Sequence, residues 1–97
     1  MSVNVREAAL NSIIRCEKDG RYSNLEIDSA IERYKLEGLD RSFFTALVYG
    51  VTERKITLDY YIGKLSKYPV SELDLFVLNI LRLGAYQILF LEKNNLT

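Results

Sequence analysis

The sequence predicts an all-α fold, a small helical bundle. Three observations carry this reading: helix start and stop signals recur at short intervals, strand signals are weak, and the apolar residues between the stops repeat at helical spacing. A chain of 97 residues supplies one domain with little surplus stability. No repeat, linker or low-complexity segment divides residues 1–97, and the short connections predict that neighbouring helices pack antiparallel.

The first helix can open at Asn4 with Glu7, or else at Ser2, and runs to Asp19-Gly20. Val5, Ala9, Leu10, Ile13, Ile14 and Cys16 share one face, and Asn4, Asn11, Arg15 and Lys18 the other. Arg6 and Glu17 fall within the apolar face, where a charge needs either a partner or a function. Ser23 and Glu26 read as an S-x-x-E capping box opening a second helix, which is amphipathic through Leu25, Ile27, Ala30, Ile31 and Tyr34 and stops at Glu37-Gly38.

Asp40 caps a third helix that continues to Leu65. One apolar phase holds through Phe43, Phe44, Leu47, Val48, Val51, Leu58, Ile62 and Leu65, with a second stripe of Tyr49, Ile56 and Tyr60 roughly opposite. A helix apolar on two sides belongs at the centre of a bundle. Arg54 and Lys55 interrupt the main stripe, so a bend or a change of packing partner is expected there. Pro69 lies in the following loop, and Ser71 with Asp74 marks the start of a fourth helix.

That fourth helix, through the stretch Leu73–Leu91, is apolar around its circumference; its polar residues Asn79, Arg82, Gln87 and Glu92 make no polar face. It should be enclosed by protein on nearly every side. Leaving a Leu or Phe exposed forgoes about 1.5–3 kcal/mol, so several together rival the stability of a small domain. The expectation is that further helices follow Thr97, or that a second copy of the chain covers the helix and makes a homo-oligomer. Asp74, Asn79, Arg82 and Gln87 interrupt the stretch, so no membrane span is expected.

Composition narrows the chemistry. Lys and Arg number 13, as do Asp and Glu, so there is no basic coat, and any nucleic-acid contact must come from a local cluster. One cysteine and no histidine exclude an intramolecular disulfide, disfavour any metal site and remove the commonest general base. No catalytic residue emerges. A free thiol without a signal-peptide pattern fits a cytoplasmic location.

Two stretches, "LDRSFFTALVYGVTERKITLDYYI" and "ELDLFVLNILRLGAYQILFLEK", carry a resemblance. With Arg6-Glu7-Ala8-Ala9, the D-R-x-F…L-V-x-G-V residues Asp40, Arg41, Phe43, Leu47, Val48, Gly50 and Val51, the Leu58-Asp59 pair and L-R-L-G-x-Y-Q at Leu81 to Gln87, the chain resembles the NusB-like N-terminal domain of the RsmB/Sun family. Those are methyltransferases that make 5-methylcytosine in 16S ribosomal RNA; NusB itself is a more distant match. The resemblance implies a NusB-like bundle, here truncated at the C-terminus, that binds 16S RNA and positions it for a methyltransferase domain absent from this chain. No Gly-rich cofactor loop and no Pro-Cys or Thr-Cys pair is present, so S-adenosylmethionine is expected only in that other domain. The alternative it implies is a transcription antitermination module that pairs with a ribosomal protein.

The candidate RNA contacts are Arg6, Arg21, Arg41, Arg54 and Lys55. Arg6 is either a bundle residue with a partner or, as the resemblance implies, part of an RNA-contacting patch. Arg41, Arg54 and Lys55 are phosphate candidates against the plainer reading of a solvated surface. Arg21 beside Tyr22 offers a cation and a ring that can stack on an unpaired base. Arg82 is expected in a buried ion pair with Asp59, Glu7 or Asp40. Gly50 and Gly84 suggest close helix crossings, Cys16 a core position, and Gln87 either a buried cap or a partner contact.

Overall fold

The computed structural model describes residues 4–91, and every regular element among them is helical. Five α-helices follow one another: α1 (Val5–Asp19), α2 (Ser23–Tyr34), α3 (Gly38–Glu53), α4 (Lys55–Leu65) and α5 (Leu75–Tyr86). A 3-10 turn, Val70–Glu72, precedes α5, and a π-helical turn, Gln87–Leu91, continues it.

Local chemistry accounts for several ends. Asn4 Oδ1 accepts from the Glu7 amide at 3.1 Å, and Gly20 closes α1 at φ 64°. Asp74 Oδ2 accepts from the amides of Phe76 and Val77 at 3.0 and 3.3 Å, which starts α5 at Leu75, while Ser71 falls in the 3-10 turn.

Other ends differ from the sequence expectation. There is no capping box at Ser23: α2 begins without a side-chain cap, and Glu26 is turned into the protein, fully buried. α2 also stops at Tyr34, ahead of the expected Glu37-Gly38. Lys35 takes the left-handed conformation (φ 55°), and the Leu36 amide donates to Ile31 O at 3.0 Å in a Schellman turn. Burial of Leu36 offsets the cost of a left-handed lysine, which local preference alone would have assigned to glycine. Gly38, also at positive φ, opens α3, so the cap position is Glu37 rather than Asp40.

The long third helix is two helices. Arg54 leaves helical geometry (φ −114°, ψ 24°) between α3 and α4. Just before the break, the Thr52 hydroxyl donates to Val48 O at 2.9 Å and to Tyr49 O at 3.1 Å, back-bonding of the kind that bends helices. α3 is the centre of the bundle: Phe44, Leu47, Val48 and Val51 are fully buried against α1, α2 and α5. Leu58 and Ile62 of α4 continue that core. The second stripe does not: Tyr49, Ile56 and Tyr60 face solvent, as does Leu65, because nothing among the described residues packs on that side.

Arg6 lies against Phe43 in the first half of α3, and Glu17 pairs with Lys55 just beyond the end of α3, so α1 and α3 run in the same direction. α5 runs against α1, pairing Arg82 with Glu17 and Gln87 with Arg6. Leu78, Asn79, Arg82, Leu83 and Tyr86 of α5 are buried. Phe76, Val77, Ile80 and Leu81 form an exposed apolar face, with Phe76 52% exposed. The described residues therefore cover one side of this helix, where enclosure on nearly every side was expected. No helix among them is long and apolar enough to cross a membrane.

Candidate nucleic-acid interface

Where α1, α4 and α5 meet, a guanidinium is held inside the protein. Arg82 is 3% exposed. Its Nε and Nη2 donate to the two carboxylate oxygens of Asp59, both at 2.7 Å, in a bidentate fork. Its Nη1 donates to Glu17 Oε1 at 2.7 Å and to Asn79 Oδ1 at 3.1 Å. Asn79 in turn donates to Glu17 Oε1 and to Leu75 O. Two carboxylates around one guanidinium leave one negative charge in excess, and Lys55 Nζ lies 3.6 Å from Glu17 Oε2 to offset it. Burial alone would lower the Arg82 pKa, but Asp59 and then Glu17 outweigh it and raise the pKa, so Arg82 stays charged. Glu7 and Asp40, the other partners considered for Arg82, are exposed elsewhere.

A second buried charge was misread from sequence. Glu26 accepts from the Ser12 hydroxyl at 2.8 Å and from Arg33 Nη2 at 3.3 Å, and its Oε1 lies 3.2 Å from Arg21 Nε as an ion pair without hydrogen-bond geometry. Its signal was present in the pattern: Glu26, Ala30 and Arg33 share a helical face with the core residue Ile27 beside them.

These two networks sort the five candidate RNA contacts. Arg21 pairs with Glu26 and also donates to Ser29 Oγ at 2.9 Å, and Lys55 pairs with Glu17. Both line a cleft of about 230 Å³ between the α1–α2 loop and the α3–α4 elbow, with Cys16, Tyr22, Thr52 and Glu53. Their charges are already answered by carboxylates, so the cleft is no cationic funnel. Burial, together with Glu26, pushes the Cys16 thiol pKa up, against weaker opposing effects of Arg21 and Arg15, and leaves it a neutral thiol.

Arg6, Arg41 and Arg54 are different: each is exposed, and none has a carboxylate within 4.0 Å among the described residues. Arg6 Nε donates to Gln87 Oε1 at 2.8 Å while its guanidinium lies 5.0 Å from the Phe43 ring centre. Arg54 lies 4.7 Å above the ring of Phe90. A guanidinium stacked on a ring keeps its in-plane N–H donors available. Arg41 stands apart on the first turn of α3. Sequence reasoning missed Phe90 and left Gln87 undecided; Gln87 both donates to Leu83 O at 3.1 Å and holds Arg6. Gly50 is a close crossing, as expected, but a Cβ at Gly84 would meet nothing within 4 Å.

The arrangement defines a class: an α-helical domain with internal ion networks and arginines on its exterior. The chain belongs to the NusB family, whose model matches residues 3–95. It is 38% identical over 90 residues to "Probable ribosomal RNA small subunit methyltransferase B" of Bacillus subtilis, and 32% identical over 91 residues to the protein of the same name from Synechocystis. These matches take in 93% and 94% of this chain but 20% of each relative. It is also 29% identical over 85 residues to "Transcription antitermination protein NusB" of Nitrosococcus oceani, covering 87% of this chain and 56% of that protein. No solved structure matches it significantly.

Proposed function

We propose that this chain is an RNA-binding, substrate-positioning domain of a ribosomal RNA (cytosine-5) methyltransferase. What supports it most is the lopsided coverage: 93% of this chain aligns at 38% identity with a fifth (20%) of a protein named as a ribosomal RNA methyltransferase. The surface is consistent with that role, since Arg6, Arg41 and Arg54 present guanidinium forks without carboxylate partners among the described residues. Such a domain reads folded RNA by shape and phosphate contact and leaves the chemistry to another domain. The methyl donor, S-adenosylmethionine, belongs to that other domain, and no residue of this chain is assigned to it.

Titration with fragments of 16S ribosomal RNA tests the reading. Binding should weaken as salt rises, and Arg6→Ala or Arg54→Ala should each lower the salt slope by about one. No binding at low salt, or no effect of either substitution, overturns it.

A second reading, a transcription antitermination or protein-interaction module, is favoured by the 29% identity over 85 residues to the Nitrosococcus oceani antitermination protein and by the open apolar face of α5. Pull-down of ribosomal proteins that is lost on Ile80→Asp, with RNA affinity unchanged, would support it over the first.

A further inference from the structure

Both Arg6 and Arg54 are held by one short element. Gln87 and Phe90 sit three positions apart on the Gln87–Leu91 π turn, and each contacts one of the two arginines. A π turn is rare, and such turns concentrate at functional positions. This one is braced from within. Gln87 Nε2 is tied to Leu83 O, and the Phe90 ring stacks on Tyr86 with centroids 5.5 Å apart. Tyr86 in turn is buried against Gly50 of α3. Arg54 is the residue at which α3 gives way to α4, so the same turn meets the elbow of the bundle and the N-terminal turn of α1.

We infer that Gln87 and Phe90 are positioning residues that hold Arg6 and Arg54 as one phosphate-contacting pair for a folded RNA. The inference rests on the RNA-binding reading above and adds to it the element that organises the surface. The contacts suit that task. Among the described residues, Arg6 uses Nε alone in a hydrogen bond, so both terminal nitrogens keep their donors for another partner. Arg54 makes no side-chain hydrogen bond there and its guanidinium carbon sits 4.7 Å over the Phe90 ring, an attraction that takes up none of its N–H donors. Neither contact neutralises the charge it positions. A side chain ordered before binding loses less freedom when the ligand arrives.

The test combines binding with a direct readout of each arginine. Titrations of the full chain with stem-loops tiling 16S ribosomal RNA should show Gln87→Leu and Phe90→Leu each weakening binding by roughly 3- to 10-fold, with the salt slope kept. Gln87→Leu should cost nothing further once Arg6 is Ala, and Phe90→Leu nothing further once Arg54 is Ala. Without RNA, Gln87→Leu should speed water exchange of the Arg6 Nε proton in NMR spectra, and Phe90→Leu should remove the ring-current shift of the Arg54 side chain. Losses that simply add to those of the arginine variants, or unchanged arginine signals, overturn the inference while leaving RNA binding intact. Failure of the unsubstituted chain to bind any stem-loop overturns the RNA reading and this inference together.

Discussion

The Tyr86 ring occupies the space that a Cβ on Gly50 would fill: built there, that atom would collide with Cζ, Oη and Cε1 of the tyrosine. Gly50 lies inside α3, where glycine costs about 0.5–1 kcal/mol relative to alanine. The close approach is what that cost allows. Gly50→Ala should therefore destabilise the chain by about 1–3 kcal/mol as an overpacked core, despite its better helix propensity. In a Tyr86→Leu background the same change should be neutral or stabilising. Thermal melts of the four variants check this, and a stabilising Gly50→Ala on its own would contradict it.

Arg82→Met should cost about 2–4 kcal/mol by leaving Asp59 without its cation and Glu17 with Lys55 alone. The lower end applies because both carboxylates keep about a quarter of their side chains exposed, at 26% and 25%, and can take up water. Arg82→Lys should lose a substantial part of that, since a single ammonium cannot reproduce the fork on Asp59 and also reach Glu17. Urea unfolding measures both.

Glu17 makes stability depend on pH in a definite direction. Burial by itself would raise its pKa, but the hydrogen bond from Asn79 and the charges of Arg82 and Lys55 outweigh it and hold the carboxyl below its ordinary value of 4.5. A group depressed in the folded state stabilises fully above its unfolded pKa, and that contribution is lost as pH falls through the folded value. The stability advantage over Glu17→Gln should be constant near neutrality and shrink progressively below about pH 4.5. A difference that stays constant down to pH 3 would show that the pair does not form in solution.

Cys16 should be a slow thiol. It is 9% exposed, and burial pushes its pKa above the ordinary 9.0. Reaction with a disulfide reagent at pH 8 should be at least about tenfold slower than for the unfolded chain. Equal rates would mean that the cleft beside α1 opens freely.

Much of this architecture was legible from residue types alone. Helical spacing defined the buried stripe Phe44, Leu47, Val48, Val51, Leu58 and Ile62, and Asn4, Gly20 and Asp74 act as the local chemistry of helix ends requires. These features depend on neighbours within a turn or two, so the sequence contains them. What it did not contain was the outcome of competition with distant groups. Glu26 had the spacing of a capping box, yet Ser12, Arg21 and Arg33 drew it inside. Gly38 looked like the end of α2, but burial of Leu36 ended the helix at Tyr34. Arg21 and Lys55 looked like free cations until the packing of α1 against its neighbours set Glu26 and Glu17 beside them. The grouping of Arg6 with Gln87, and Arg54 with Phe90, joins residues 81 and 36 positions apart in the chain. Sequence determined that these segments are helical and that the main stripe is buried, though not every helix end nor the fate of the second stripe, because helix type and the main stripe follow from local geometry and hydrophobic spacing. Tertiary structure alone decided which charges are spent on one another and which remain for a partner, because that depends on distances between segments that only packing brings together.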